Sequence, residues 1–252
     1  MSWTYTRGDL LRYAAASLDL NDIHQDDEAA RKAGFDGVIA HGMLTLGRVL
    51  AALPGPLQSC SARFTAPVPL GVEVSVDLAE TEPTKLAGTV KAGSVKALTL
   101  QVSLGPPNPA APLTGELVSS RVLVVERGPA RKFAEAVGFA GEIAPSHAYA
   151  LPNWGWFPDK QTSPGPAPDA VGDCRAWTGT KGAVVHGRQS FEWHRDLHIG
   201  EEVVANTYVL DRKVRPGNSG TMTITTVAQR ITDATGDAVL TATSALLTWD
   251  DR

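Results

Sequence analysis

The sequence predicts an α+β fold of two related halves, each an antiparallel sheet wrapped around a helix. Three observations lead to this prediction: an internal repeat, one strongly apolar helix, and several strand-like segments rich in Val, Leu and Thr. With 252 residues and 43% hydrophobic content, the chain can bury a sizeable core as one large domain or two small ones.

The internal repeat divides the chain into halves of similar length. RGDLLRYAAA, from Arg7, aligns with RGPARKFAEA, from Arg127, and FTAPVPLGVEVSV, from Phe64, aligns with WHRDLHIGEEVVA, from Trp193. Each match is short, but two matches in the same order indicate a tandem duplication. We therefore predict one domain at residues 1–126 and a second at 127–252.

The helix predictions rest on charge placement and apolar spacing. QDDEAARKAGF, from Gln25, has acids in its first turn, bases in its last turn and Gly34 as a stop, which is typical of a short helix. GMLTLGRVLAALPG, from Gly42, has apolar residues around most of its circumference before Pro54 ends it. This second pattern predicts a buried helix.

The strand predictions follow from composition, partial alternation and intervening turn residues. In the first half the segments are SARFTAPV, VEVSVDLAE, KALTLQVSL and ELVSSRVLVVE. In the second half they are FEWHRDLHI, EVVANTYVLDRK, GTMTITTVAQRI and AVLTATSALLTWD. Because each half alone would expose a strand edge, we expect the two sheets to join edge to edge.

Composition argues against several classes of partner. A net charge of -4 provides no basic field for nucleic acid or an anionic membrane, so we expect neither. No apolar stretch reaches membrane-spanning length and the N-terminus lacks a signal pattern, so a cytoplasmic location is expected. Cys60 and Cys174 are too few for a disulfide framework and are expected to be free thiols. A homodimer is an option for assembly.

The segment DLNDIHQDD, residues 19–27, concentrates four carboxylates and a histidine in nine positions. One interpretation is structural, with Asp19 or Asp22 capping the helix that begins near Gln25. The other is catalytic, and the motifs that flank this segment favour it.

Three motifs in order resemble the MaoC-type (R)-specific enoyl-CoA hydratases and (3R)-hydroxyacyl-thioester dehydratases. They are DLNDIH from Asp19, IAHGM from Ile39 and RFTAPVPLG from Arg63. The family signature is G-D-x-N-P-[LIV]-H, and Leu18 and Asp22 stand where the signature has Gly and Pro. The resemblance implies the hot dog fold, here a double hot dog, and makes Asp19 and His24 the catalytic pair.

The second half resembles the non-catalytic partner domain of such dehydratases and of mesaconyl-CoA hydratases, on segments that include GRQSFEWHRDLHIGEEV. The repeat agrees with this resemblance. Aligning Ile39-Ala40-His41 with Ile143-Ala144-Pro145 leaves the second half roughly sixteen residues short, in the region that holds Asp19 to His24 in the first half. We therefore expect one active site per chain, with the second half shaping the acyl pocket.

The predicted reaction is the addition of water to an enoyl thioester, or its reverse. It needs a base for water, an acid for the α carbon, and stabilisation of the enolate oxygen. Asp19 and His24 can supply the first two, and the amide of Gly42 at the start of the buried helix can supply the third. No cofactor is needed, because CoA or an acyl carrier protein is itself the substrate carrier.

Four further residues are expected to contact or shape the substrate site. Asn21 belongs to the Asp-Asn-His motif, His41 is expected to shape the site, and Met43 to line the acyl slot. Arg63 is expected to meet a phosphate of the acyl carrier or, alternatively, to be an exposed strand arginine. No metal site is expected, because His194 and His198 have no third ligand nearby.

Three alternative functions stay open at this point. A hot dog thioesterase would hydrolyse the same substrates, a mesaconyl-CoA-type hydratase would act on a branched diacid, and a non-catalytic acyl-thioester binder would turn nothing over. The Pro- and Gly-rich segment 158–182 is either a flap over the pocket or disordered.

Overall fold

The computed structural model describes residues 1–139, 175–180, 184–217 and 220–249. The strands are β1 (Ser2–Thr4), β2 (Leu57–Phe64), β3 (Glu73–Glu82), β4 (Lys85–Ala92), β5 (Val95–Leu104), β6 (Glu116–Val124), β7 (Val184–Trp193), β8 (Glu202–Gly217), β9 (Gly220–Asp233) and β10 (Ala238–Trp249). The helices are α1 (Arg7–Ser17), α2 (Asp27–Lys32), α3 (Gly42–Ala51) and α4 (Arg127–Ala136), with a 3₁₀ turn at Asp22–His24.

The ten strands form one antiparallel sheet in the order β1-β3-β4-β5-β2-β7-β10-β9-β8-β6. The two halves meet where β2 pairs with β7, in a register that runs from Ser59 opposite Glu192 to Arg63 opposite Arg188. The predicted edge-to-edge joining of the two sheets is therefore confirmed, and each half covers the strand edge that the other would expose.

The strand predictions are confirmed for most elements, but β1 and β4 were not predicted and β7 was misplaced. β4 was not predicted, because KLAGTVKA is rich in Lys, Ala and Gly and becomes a strand by pairing on both sides, with β3 and β5. The predicted strand FEWHRDLHI lies mostly beyond β7, which begins earlier and ends at Trp193.

The position of β6 favours a different domain boundary from the predicted one at residue 126. β6 precedes that boundary in sequence, yet it pairs with β8 at the far edge of the C-terminal half of the sheet. It mirrors β1, which pairs with β3 at the opposite edge and likewise precedes a helix. We therefore propose that the two units meet in the connection after Leu104, before β6.

Helix α3 is buried, as its pattern predicts: Leu44, Leu46 and Val49 have no exposed surface. It lies in one hydrophobic core with α1, α4 and residues of both halves of the sheet. The segment that would supply a matching central helix in the second half lies outside the described residues. No helix within the described ranges is both long and apolar enough to cross a membrane.

Helices α1 and α4, the repeated pair, pack against each other across the centre of the molecule. The ring centroids of Tyr13 and Phe133, equivalent in the repeat, are 6.0 Å apart. Helix α1 begins with a capping box in which Thr6 and Asp9 exchange side-chain and backbone hydrogen bonds. The repeat detected in sequence thus corresponds to a contact that joins the two halves.

Candidate active site

The loop after α1 delivers Asp19 to the site. Leu18 ends α1 in the left-handed conformation, at φ 57°, and its amide donates to the carbonyl of Ala14 at 2.8 Å. This conformation costs a non-glycine residue energy, and it turns the chain sharply away from the helix.

The structure answers the question of helix capping. The N-cap of α2 is Asp26, whose carboxylate accepts from the amide of Ala29 at 2.7 Å. Asn21 accepts from the amide of Ile23 and caps the 3₁₀ turn. The interpretation of Asp19 or Asp22 as the cap of α2 is therefore wrong.

His24 is fixed in one tautomer by the backbone. Its Nδ1 lies 2.8 Å from the carbonyl oxygen of Ile39, so Nδ1 carries the hydrogen and donates it. Nε2 is then left with a lone pair that can accept a proton. The side chain is buried at 9% exposure and lines the internal cavity described below.

Asp19, His24 and His41 form one cluster. A carboxylate oxygen of Asp19 and one ring nitrogen of each histidine lie within 4.8 Å of one another. One water hydrogen-bonded to two groups spans about 5.5 Å, so this spacing suits a shared water. The predicted convergence of Asp19 and His24 on one cavity is present in the structure.

His41 supports this cluster from behind. Its ring stacks on His24 with centroids 3.8 Å apart, and its Nε2 donates to the backbone carbonyl of Asp19 at 3.1 Å. Its Nδ1 is buried without a hydrogen-bond partner among the described residues. At 1% exposure His41 is not among the residues that line the cavity, and it lies behind Asp19 and His24.

Burial keeps both histidines neutral. It lowers the pKa of His24 below its usual 6.5, against the opposing effects of Asp19 and of the hydrogen bond to Ile39. Burial and the neighbouring His24 lower the pKa of His41 to about 3. A neutral His24 is in the form that a general base requires.

The same three side chains are the one group among the described residues with the composition of a metal site. Their geometry argues against that use. The imidazoles of His24 and His41 stack with centroids 3.8 Å apart, and each ring already uses one nitrogen on a backbone carbonyl, whereas the ligands of a metal ion must converge on one point.

The N-terminus of α3 faces the same space. Gly42 and Met43, its first two residues, both line the cavity. A side chain at position 42 would displace Phe64, since a Cβ there would lie 2.9 Å from two of its ring carbons. The amides of a first helical turn have no partner within the helix, so they can donate to an oxygen of a ligand.

The cavity has a volume of about 310 Å³ and is built by both halves. The polar residues that line it are Tyr13, Asp19, Asn21, His24, Thr45, Thr65 and His186. Its apolar walls include Phe35, Ile39, Met43, Phe64, Val68 and Leu98 from the first half and Val184, Val185, Leu246 and Leu247 from the second. An apolar slot beside a few polar groups is typical of a small-molecule site.

The predicted substrate-binding residues divide into two groups. Asn21 and Met43 line the cavity, and His41 lies directly behind it. Arg63 lies on the opposite face of β2 from Phe64, exposed, beside Arg188 in a groove on the outer surface of the sheet. It is therefore the exposed strand arginine of the alternative interpretation, and this structure gives it no place in the cavity.

His194 and His198, the two histidines weighed as metal ligands from the sequence, lie outside the cavity lining. His194 lies between the carbonyl of Asn108 and the hydroxyl of Thr241, at 2.8 and 2.7 Å, and ties the connection between the halves to β10. His198 is exposed. A third, His186, lines the cavity, and sequence reasoning missed it because nothing in the local pattern marks it.

Comparison with known families agrees with this geometry. Residues 2–101 match the family described as MaoC like domain, and residues 113–242 match the FAS1-like dehydratase domain region. The two matches meet between residues 101 and 113, which also places β6 in the second unit.

Curated relatives match the first half. A mitochondrial 3-hydroxyacyl-[acyl-carrier-protein] dehydratase of Arabidopsis thaliana is 40% identical over 75 residues, 28% of this chain and 45% of the relative. An (R)-specific enoyl-CoA hydratase of Rhodospirillum rubrum is 34% identical over 85 residues, 31% of this chain and 59% of the relative. In both cases the matched region is less than two thirds of the relative's length.

Solved structures share the fold over almost the whole chain. A putative MaoC domain dehydratase from Chloroflexus aurantiacus superposes with a TM-score of 0.61 at 12% identity, covering 98% of this chain and 93% of that one. A conserved hypothetical protein of Mycobacterium tuberculosis with a double hotdog fold gives 0.58 at 11% identity, covering 98% and 94%. The predicted double hot dog architecture is confirmed.

Proposed function

Because this chain belongs to the MaoC-like dehydratases, with a FAS1-like dehydratase region as its C-terminal unit, we propose that it interconverts enoyl and (3R)-hydroxyacyl thioesters. One observation carries the proposal. Asp19, His24 and the N-terminus of α3 converge on a single cavity whose remaining walls are largely apolar.

In the proposed reaction a water molecule bridges Asp19 and His24. Its oxygen adds to C3 of the enoyl thioester while the pair takes one proton from it, and a proton is delivered to C2. The pair therefore ends with the protonation it began with. Neutral His24 accepts through Nε2, since Nδ1 is committed to Ile39.

The developing enolate needs a hydrogen-bond donor. The amide at Gly42 can serve this oxygen with the dipole of α3 behind it. Phe64 packs beside Gly42, and both residues line the cavity. No cofactor is required for these steps, and the acyl carrier is either CoA or an acyl carrier protein.

The acyl chain is proposed to lie between the halves. Met43 and Leu98 line the cavity together with Leu246 and Leu247, so the second unit forms part of the wall although the proposed catalytic pair belongs to the first. This division gives one active site per chain. Assembly of the chain into a homodimer stays a prediction that light scattering would check.

The deciding experiment follows two products separately. The protein is incubated with crotonyl-CoA, a longer trans-2-enoyl-CoA and mesaconyl-CoA, while loss of the enoyl absorbance and release of free thiol are recorded. We expect loss of the enoyl signal without thiol. Thiol release would indicate a thioesterase, and tight binding without either signal would indicate a non-catalytic binder.

A further inference from the structure

The backbone of Asp19 is held on both sides by buried side chains. Its amide donates to Oγ of Ser17 at 3.2 Å, and its carbonyl oxygen accepts from Nε2 of His41 at 3.1 Å. Ser17 has no exposed surface and His41 has 1%. Hydrogen bonds that are shielded from water in this way are stronger than exposed ones. The residue that supplies the proposed catalytic carboxylate is therefore fixed through its backbone.

Helix α1 fixes Ser17 in turn. The hydroxyl of Ser17 donates to the carbonyl of Tyr13, one turn earlier in the helix, at 2.8 Å. A hydroxyl has one hydrogen and two lone pairs, so Oγ of Ser17 then serves the amide of Asp19 as an acceptor. The last turn of α1 thus places a rigid hydrogen-bond acceptor directly at the start of the loop.

Leu18, between these two residues, opposes the same arrangement. It lies at φ 57° and ψ 19°, and it is one of two non-glycine residues with positive φ among those described. The left-handed conformation costs an L-residue a free energy similar in size to the net stabilisation from one hydrogen bond. Glycine, which the family signature has at this position, adopts the conformation without that cost.

We propose that Ser17 is a positioning residue, whose hydrogen bond to the amide of Asp19 offsets the strain at Leu18 and keeps the Asp19 carboxylate beside His24. This inference rests on the proposed function, because it takes Asp19 as a proton-transfer group. It requires a coupling between two neighbouring positions. The hydroxyl of Ser17 should matter while Leu18 is strained, and much less once Leu18→Gly removes the strain.

A double-mutant cycle measures this coupling. The four proteins are the unchanged chain, Ser17→Ala, Leu18→Gly and the variant with both changes. Leu18 also packs partly against the core, but this contact is lost on both sides of the comparison within the Leu18→Gly background. Two properties are recorded for each protein: kcat and KM on crotonyl-CoA, and deuterium exchange of the backbone amides of residues 19–25.

Thr207→Val is the matched control. Thr207 lies in β8 with 2% exposure, its hydroxyl accepts from Gln229 at 3.5 Å, and it does not line the cavity. The substitution therefore removes a buried hydroxyl of the second half without touching the loop. Any effect that comes from a general loss of stability should appear in this variant as well.

Ser17→Ala is expected to lower kcat about tenfold and to leave KM within about twofold, because the proton-transfer geometry is lost while the cavity walls remain. In the Leu18→Gly background the same change should lower kcat less than about threefold. Exchange of residues 19–25 should accelerate in the same pattern, and Thr207→Val should alter neither property. An unchanged kcat, a rise in KM alone, or equal effects of Ser17→Ala in both backgrounds would overturn the proposal.

Two further measurements separate the possible failures. If Ser17→Ala unfolds, as judged by thermal melting, Ser17→Cys takes its place, since a thiol is a weaker hydrogen-bonding group, and should show the same pattern with a smaller effect. If the unchanged protein turns over none of the esters, the proposed function fails and amide exchange alone decides the role of Ser17. Coupled exchange would then support that role, and uncoupled exchange would refute it.

Discussion

The two halves of the molecule use the same framework for different purposes. Helices α1 and α4 begin with the same Arg-Gly pair and pack against each other, yet only α1 leads into a loop with the Asp19–His24 pair. At the helix contact Tyr13 faces His41, with ring centroids 4.8 Å apart, whereas its counterpart Phe133 has no polar atom. A duplicated scaffold thus places the proposed catalytic groups in one unit and leaves the other to complete the cavity wall.

The largest difference between the halves should lie in catalysis. Asp19→Asn and His24→Ala are each expected to lower turnover about 100- to 10,000-fold, because each removes a proton-transfer group. His198→Ala, in the second half, should leave turnover unchanged, and so should His194→Ala if the fold holds. Steady-state kinetics on crotonyl-CoA, with circular dichroism to confirm folding, measures the contrast. Near-normal rates for either of the first two variants would make the pair structural.

Two glycines of α3 sharpen the comparison, since one faces the site and the other faces the second half. A Cβ at Gly42 would lie 2.9 Å from the ring of Phe64, and a Cβ at Gly47 would lie 2.9 Å from Cγ1 of Val137. Gly42→Ala is expected to lower kcat by up to about 100-fold through displacement of the cavity wall. Gly47→Ala is expected to lower the free energy of unfolding by about 1–3 kcal/mol with little change in kcat. Steady-state kinetics and urea unfolding of both variants test these two expectations. Equal effects of Gly42→Ala and Gly47→Ala on kcat would contradict them.

Acid should destabilise the protein through histidines of both halves. The pKa values of His24, His41 and His186 are lowered by burial, to about 3 for His41 and about 4 for His186, from 6.5. Below pH 6.5 the unfolded chain therefore binds protons that the folded chain does not, so the free energy of unfolding falls as the pH falls towards 4.

Each such histidine lowers the free energy of unfolding by up to about 1.4 kcal/mol for each pH unit below 6.5. Urea unfolding at pH 7, 6 and 5 measures the slope, and His186→Phe should reduce it by the share of one proton. An unchanged slope in this variant would mean that His186 is not buried in its neutral form.

The smallest expected effect concerns the ends of the paired helices. Leu18 follows α1 at φ 57°, whereas Gly138, its counterpart after α4, has φ 75° and no described atom within 4 Å of an added Cβ. Gly138→Ala should lower the free energy of unfolding by about 1 kcal/mol, because an L-residue is strained in this conformation. Gly128→Ala, within α4 and likewise with no described atom within 4 Å of an added Cβ, should be neutral or stabilising. Chemical denaturation measures the free energy of unfolding of both variants. If both substitutions destabilise the protein by similar amounts, the left-handed conformation of Gly138 is not the cause.

The sequence by itself determines the burial of α3, the presence of two units and the proximity of Asp19 to His24, because each of these features depends on local patterns. The apolar circumference of α3 requires burial, and the duplicated Arg-Gly helix starts reveal two units. The spacing of Asp19 and His24 within one short motif suffices to bring them together, since a tight turn separates them by few bonds. Side chains alternate between the two faces of a strand. Because Phe64 lines the cavity, its neighbour Arg63 points to the outer face of the sheet.

The tertiary structure decided what depends on pairing between distant segments. β6 lies at the edge of the C-terminal half of the sheet because its partner is β8, although it precedes the repeated helix in sequence. His41 lies behind the cavity because its ring stacks on His24 and bonds to the backbone of Asp19. His186 faces the cavity only because the pairing with β10 skips Gly187. A shift of one residue in the pairing register moves every following side chain to the opposite face of the sheet. The partner strand sets this register, so the local sequence does not reveal it.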